Sequence, residues 1–154
     1  MRISEIVARS EVLLLDGGLA TWLETQGHVL HPQLWSAGLV QTAPRAIIRA
    51  HRDYLDAGAR CIIAASYQAS LEGFTAAGFS ADHARDLIKR SVTLALSARD
   101  EFMASGGKRA EGCEPLVAAS VGPFGAHLAD GSEDRGNYGV SRARLRNFHA
   151  PRMD

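Results

Sequence analysis

Three short segments join an apolar run to glycines or polar side chains. Residues 16–18 (Asp-Gly-Gly) follow apolar residues 12–15, residues 66–68 (Ser-Tyr-Gln) follow residues 61–65, and residues 120–123 (Ser-Val-Gly-Pro) follow residues 116–119. Parallel α/β proteins place their binding and catalytic groups at the carboxyl ends of buried strands. The three segments are therefore the candidate site of this protein.

The first segment can bind a ligand through both its backbone and its carboxylate. Gly17 and Gly18 allow a ligand close to the chain, the following helix offers N–H groups to an anion, and Asp16 can accept from an ammonium group. The structural alternative is a tight strand-to-helix turn in which Asp16 caps the helix. The spacing is not GxGxxG, which disfavours a dinucleotide site.

The second segment also has two interpretations. Ser66, Tyr67 and Gln68 can line a pocket at the strand end; alternatively, Ser70 caps the next short helix while Tyr67 packs.

The third segment and the chain after it are rich in glycine. Residues 120–125 either fix a binding loop or form an ordinary connection. Residues 124–140 form a long irregular stretch. Its residues 130–138 are typical of a binding loop or lid. Its acidic pair, Glu133 and Asp134, is expected to be solvated.

No histidine or cysteine spacing indicates a metal site or a nucleophile. The histidines form no HxH or HExxH pattern. We expect His51 to be a hydrogen-bonded core residue on an apolar helix face, and His28 and His31 to be solvated. Cys61 and Cys113 form no CxxC pair and are expected to be reduced thiols away from the chemistry.

The elements that position these segments alternate between strand and helix. We predict strands at residues 12–15, 61–65 and 116–119, helices at residues 19–26, 44–57, 71–77, 81–103 and 142–148, and a loop at residues 28–38. Thr42, Ser80 and Ser141 are the expected N-caps of three of these helices, and Pro151 the end of the last. This order favours a parallel sheet with right-handed crossovers.

Composition narrows the function classes. The chain has 154 residues, 46% of them hydrophobic and 22% charged, as in an ordinary globular domain. Its 17 basic and 17 acidic side chains balance, which disfavours nucleic acid as a partner. No apolar run approaches the roughly 18 residues of a membrane span or forms a signal peptide. With two distant cysteines, these features predict a cytoplasmic protein.

Four segments, in this order, resemble the homocysteine S-methyltransferases: VLLLDGGLATWLETQG, LWSAGL, DAGARCIIAASYQASLEGF and VAASVGPFGAHLADGSEDRGNY. The resemblance runs from about residue 12 to residue 152 and is nearest to the branch that uses S-methylmethionine or S-adenosylmethionine. It implies a TIM (β/α)8 barrel. The chain would hold its N-terminal portion, about three βα units with parallel strands and helices outside, as a single incomplete domain over residues 1–154.

The resemblance also implies a chemistry. Zinc held by three cysteine thiolates binds the homocysteine sulfur, and that thiolate takes a methyl group from a sulfonium donor to give methionine. Residues 16–18 then bind the amino-acid part of homocysteine and residues 66–68 line the same pocket. Ser120, Gly122 and Pro123 have a more structural role.

Cys61 and Cys113 do not match the family's zinc cysteines, which lie in the later half of the barrel. We therefore expect this chain alone to hold no zinc and transfer no methyl group. One alternative is a non-catalytic half-barrel that self-associates through an open sheet edge or pairs with a separate second half. Another is an unrelated doubly wound α/β protein that binds phosphate at residues 16–18.

Overall fold

The computed structural model describes residues 12–107 and 114–153, together with residue 4. The elements in chain order are α1 (Leu19–Thr25), a 3-10 helix (Ser36–Gly38), α2 (Leu39–Thr42), α3 (Pro44–Asp56), β1 (Cys61–Ile63), α4 (Leu71–Ala76), α5 (Ala81–Ala104), β2 (Leu116–Ala118), α6 (Phe124–Leu128), α7 (Arg142–His149) and a second 3-10 helix (Ala150–Arg152). Within these described ranges, no helix has the length and apolar character needed to cross a membrane.

A small parallel sheet holds the strand segments together. Strands β1 and β2 pair in parallel, with Cys61 opposite Leu116. A single parallel bridge joins Leu15 to Cys61, and the Asp16 N–H donates to the Cys61 carbonyl at 2.9 Å. Because parallel strands run in one direction, the three chain segments that leave them start from the same edge. The predicted α/β fold with parallel strands is confirmed.

The first predicted strand is wrong in its extent and its burial. Of residues 12–15, Leu15 alone forms a bridge. Val12, Leu14 and Leu15 are 86%, 52% and 50% exposed. A run of this kind is buried when strands or helices cover both faces of its sheet. Here the described residues place no further strand beside it, so its apolar side chains face solvent.

Helices α3 and α5 form the main packed layer. Pro44 begins α3, where its missing N–H needs no partner. Ser80 caps α5 by accepting from the His83 N–H at 3.3 Å. The buried stripes of the two helices comprise Ile47, Ile48, Ala50, His51 and Leu55 on α3, and Ala84, Leu87, Ser91, Leu94, Ala95, Ala98 and Phe102 on α5. The sequence pattern predicts an inner face of residues 47, 48, 51, 54 and 55 on α3, and an inner stripe of residues 84, 87, 88, 91, 92, 95 and 102 on α5. All of these are buried except Tyr54, Ile88 and Val92, which are half-buried.

Several short elements differ from the sequence prediction. Thr42 does not cap α3: it ends α2, and its hydroxyl donates to the Gly38 carbonyl at 3.4 Å, while Ala43 occupies the N-cap position. Residues 28–38 and 124–140, predicted as irregular, contain a 3-10 helix and α6, and Pro151 lies inside the second 3-10 helix. Such short helices carry no readable periodicity and form because tertiary packing buries their apolar residues.

Candidate active site

Asp16 links the first strand segment to β1. Its Oδ2 accepts from the Ile63 N–H at 2.8 Å. Gly18 is the N-cap residue of α1 and has no side chain to cap that helix, so the alternative in which Asp16 caps it is wrong. The carboxylate is 1% exposed, and its Oδ1 has no hydrogen-bond partner among the described residues. Asp16 therefore keeps an unused acceptor at the strand edge.

Gly17 and Gly18 form an exposed turn that does not need glycine for its backbone angles. Neither has a positive φ. A Cβ at Gly17 would lie 3.4 Å from the Tyr54 ring, which is ordinary contact, and one at Gly18 would lie 3.2 Å from the Thr21 hydroxyl. Side chains at these positions would face Tyr54 and Thr21, while the turn itself is solvent-exposed, so its backbone is accessible to another molecule.

A buried polar group lies beneath this turn, and we call Asp16, His51, Tyr54 and Cys61 the aspartate cluster. His51 Nδ1 lies 3.8 Å from Asp16 Oδ2, and the ring is fully buried. The expected core position of His51 is confirmed. Its expected hydrogen bond is wrong, because among the described residues neither ring nitrogen has a partner at hydrogen-bond distance.

The carboxylate of Asp16 acts on two neighbours electrostatically. Burial, and then the charge of Asp16, raise the pKa of the Tyr54 hydroxyl and of the Cys61 thiol above their ordinary values. The raised pKa values keep both groups protonated near pH 7, so neither adds a second negative charge beside the carboxylate.

A second polar group joins the exits of β1 and β2, and we call Ser66, Ser120, Gly122 and Arg152 the serine cluster. The Ser66 hydroxyl donates to the Ser120 carbonyl at 2.8 Å and accepts from the Ser120 N–H at 2.9 Å. The Arg152 guanidinium donates to the carbonyls of Gly122 (2.9 Å), Ser66 (3.1 Å) and Tyr67 (2.7 Å). Both hydrogen bonds of the Ser66 hydroxyl therefore connect the two strand exits.

Arg152 is the one member of this cluster that sequence reasoning missed. It lies 30 residues beyond Gly122 and 86 beyond Ser66 along the chain, and no local pattern around it indicates a role.

Tyr67 lies at the mouth of β1 and is half-exposed. Its hydroxyl donates to the Glu133 carboxylate, and this hydrogen bond is the main cause that raises the pKa of Tyr67 to about 12. The prediction that Glu133 is merely solvated is therefore wrong. The sequence feature that indicates a role for Glu133 is its position in the long irregular segment at residues 130–138, which is typical of a binding loop. Gln68 is half-buried beside Tyr67.

An ion pair fixes α7 against α4. Arg144 donates to both carboxylate oxygens of Glu72, from Nη1 to Oε1 at 2.7 Å and from Nη2 to Oε2 at 2.5 Å. Its guanidinium also lies 5.1 Å from the centre of the Phe124 ring. The bond from Arg144 lowers the pKa of Glu72, whereas burial lowers the pKa of the adjacent His127. Helices α4, α6 and α7 are thereby held together behind the strand exits.

The described residues do not fit a zinc site of the kind that the sequence resemblance implies. Within residues 12–107 and 114–153, no three His, Cys, Asp or Glu side chains are grouped to hold a metal ion. Cys61 is a buried thiol whose pKa is raised, the opposite of a metal-binding thiolate. Cys113 lies outside the described residues.

Comparison with known proteins places the chain among relatives of one kind. The family model described as Homocysteine S-methyltransferase matches residues 13–154. The homocysteine S-methyltransferase YbgG of Bacillus subtilis is 48% identical over 98% of this chain and 48% of its own length. Homocysteine S-methyltransferase of Escherichia coli is 44% identical over 97% of this chain and 47% of its own length.

Solved structures agree. The homocysteine methyltransferase MmuM from Escherichia coli, in its metallated form, matches with a TM-score of 0.88 and 45% identity, over 97% of this chain and 51% of that one. The chain spans about half the length of the relatives that it matches. Because the family model covers nearly all of it, the chain belongs to the homocysteine S-methyltransferase family.

Proposed function

We propose that this chain forms the homocysteine-binding part of a methyl-transfer enzyme and corresponds to the N-terminal βα units of a TIM barrel. In the overall reaction, a methyl group passes from the sulfonium sulfur of S-methylmethionine or S-adenosylmethionine to the homocysteine sulfur, giving methionine. One observation carries the proposal: the Asp16 turn and the Ser66–Gln68 segment leave adjacent parallel strands at the same edge.

The residues of the turn suit the amino-acid part of homocysteine. The unused Oδ1 of Asp16 is an acceptor for the substrate's ammonium group. Gly17 and Gly18 are exposed, so their backbone is accessible to the substrate. Tyr67 and Gln68 then form the adjacent wall, while Ser66 holds that wall to the exit of β2.

The metal chemistry is assigned to residues outside this chain. The described residues do not fit zinc, and the sequence resemblance puts the family's cysteines in the later half of the barrel. We therefore propose that the purified 154-residue chain binds homocysteine without transferring methyl groups, in a cytoplasmic setting that keeps Cys61 reduced.

Calorimetric titration of the purified chain with homocysteine tests the binding role. We expect saturable binding, weakened by Asp16→Ala, whereas Thr25→Ala on the exposed end of α1 serves as a matched control without effect. A chain that is folded by circular dichroism but does not bind homocysteine would overturn this role.

Zinc quantitation, together with an assay containing homocysteine and S-methylmethionine, tests the second half of the proposal. We expect neither bound zinc nor turnover. Stoichiometric zinc and turnover in this chain would show that its own residues suffice for catalysis.

The exposed sheet edge supports a second candidate, a non-catalytic half-barrel that associates with itself or with a separate second half. Val12, Leu14 and Leu15 present exposed apolar side chains along the first strand segment, a surface that invites pairing with another strand. Size-exclusion chromatography with light scattering tests it. A monodisperse monomer at high concentration rules out self-association, and a dimer that Leu14→Lys dissociates supports it.

A further inference from the structure

The aspartate cluster contains buried polar atoms that the fold leaves without partners. Within the described part of the chain, Asp16 Oδ1, His51 Nδ1 and His51 Nε2 all lack a hydrogen bond. A buried donor or acceptor without a partner is energetically unfavourable. Since such groups are rare in native structures, their grouping beneath the exposed turn calls for a function.

The position of His51 follows from helix α3. Tyr54, one turn further along the helix, lies beside the turn, where its ring would be 3.4 Å from a Cβ placed on Gly17. His51 faces Asp16 on the same side of the helix, with Nδ1 3.8 Å from Oδ2. One helix face therefore supports both the backbone and the carboxylate of the turn.

The hydrogen bond from Ile63 alone does not fix the rotation of the Asp16 carboxylate. The Ile63 N–H reaches Oδ2 from one side. Tyr54 and Cys61 are uncharged near pH 7, and burial, then the charge of Asp16, raise the pKa of each further. In the described part of the chain, His51 is the residue at ion-pair distance from Asp16. Hydrogen bonds of active-site groups are commonly long without substrate and shorten in the complex.

We propose that His51 is a positioning residue for homocysteine binding: its Nδ1–H donates to Asp16 Oδ2 and turns Oδ1 toward the ammonium group of the substrate. The inference rests on the proposed function, since it assigns the acceptor role of Asp16 to that substrate. The bond requires the 3.8 Å separation to shorten by about 1 Å, to the usual N–H···O distance.

Three substitutions separate positioning from packing. His51→Leu removes both ring nitrogens, His51→Asn keeps a donor near the Nδ1 position, and His51→Gln keeps one nearer Nε2. We expect His51→Leu and His51→Gln to raise the Kd for homocysteine about tenfold, and His51→Asn to stay within about threefold of wild type, as for loss and retention of one charge-assisted hydrogen bond.

Urea unfolding of the same variants distinguishes a positioning role from a structural one, because a structural role would change the free energy of unfolding along with the Kd. His51→Leu replaces an unpartnered polar ring with an apolar side chain, so we expect it to be as stable as wild type. Weak binding in a stable His51→Leu variant supports positioning. Equal Kd values for all three variants, or Kd values that follow stability, would overturn it.

A ligand-free measurement keeps this inference separate from the proposed function. In ligand-free proton NMR spectra of the wild-type chain, we expect the buried His51 Nδ1–H to give an exchange-protected resonance that shifts in Asp16→Asn, because this proton faces the Asp16 carboxylate before the bond shortens. If homocysteine does not bind but the resonance shifts as expected, the proposed function fails and the placement of the Nδ1–H against Asp16 stands. An Nδ1–H resonance that is absent, or unaffected by Asp16→Asn, overturns the positioning role.

Discussion

The serine cluster and the aspartate cluster lie at the same edge of the sheet but differ in how their buried polar groups are hydrogen-bonded. In the serine cluster, the Ser66 hydroxyl both donates and accepts, and Arg152 binds carbonyl groups of both exit loops. In the aspartate cluster, one carboxylate oxygen and both nitrogens of a buried ring have no partner.

The difference separates groups that hold the fold from groups left available to a ligand. Fully paired polar networks rigidify a structure, whereas unpaired buried groups are unfavourable unless something else binds them. Substitutions in the serine cluster should therefore act on stability, and substitutions in the aspartate cluster should act on binding.

The largest effect on stability is expected for Ser66→Ala. The change leaves the N–H and the carbonyl of Ser120 without their partner, and we expect a loss of about 2–3 kcal/mol in the free energy of unfolding. Urea denaturation measures it. Thr25→Ala, which removes an exposed hydroxyl bond to the Trp22 carbonyl, is the control and should change stability by less than about 0.5 kcal/mol. A loss as small as the control's would contradict a structural serine cluster.

A somewhat smaller loss is expected for Arg152→Leu. The substitution keeps an apolar stem against the Phe148 ring, whose centre lies 5.5 Å from the guanidinium, but removes the charged donors to the loop carbonyls. Because hydrogen bonds from charged groups are worth more than neutral ones, we expect about 2 kcal/mol, again by urea denaturation. Arg152→Lys should recover part of it. Full stability in Arg152→Leu would show that the loops do not depend on this residue.

Asp16→Asn, in the aspartate cluster, should change homocysteine binding more than stability. Its side-chain carbonyl can still accept from the Ile63 N–H, so we expect stability to change by under about 1 kcal/mol. Loss of the charge should weaken homocysteine binding about tenfold, which corresponds to roughly 1.4 kcal/mol. Calorimetry and urea unfolding of one preparation check both values. A variant that loses stability but binds normally would assign Asp16 to the fold.

The smallest effect concerns the partly exposed pair of Glu72 and Arg144. Because Arg144 lowers the pKa of Glu72 below its ordinary 4.5, the pair stabilises the fold above that pH and this stability is lost as the pH falls through the lowered pKa. Solvent screening limits the gain to at most about 1 kcal/mol. Thermal melts should show wild type above Glu72→Gln near neutral pH and the two converging in acid. A constant gap would contradict the ion pair.

The sequence predicts long elements with strong local signals well. Helix α5 was predicted from its Ser80 cap and its apolar stripe, and it extends one residue beyond the predicted end. The parallel order of β1 and β2 followed from their short apolar runs and intervening helices. These features depend on residues that are near one another in the chain.

Contacts between distant residues could not be predicted in the same way. Arg152 acts on carbonyls far earlier in the chain, and Glu133 meets Tyr67 across 66 positions. His51 was correctly placed on a buried helix face, but the missing partners of its ring depend on what the fold brings against it. Local patterns specify which face is buried, whereas pairing of polar atoms needs the tertiary arrangement.

The guanidinium of Arg152 also has a consequence for the order of events during synthesis. Segments of a growing chain fold from the N-terminus onward, so β1 and α5 are complete well before residue 152 emerges from the ribosome. The carbonyls of Ser66, Tyr67 and Gly122 must remain hydrated until then. Nascent chains that end before Arg152 should consequently show protease-sensitive loops after β1 and β2 beside an already protected α5. Both loops should become protected together once that residue is added.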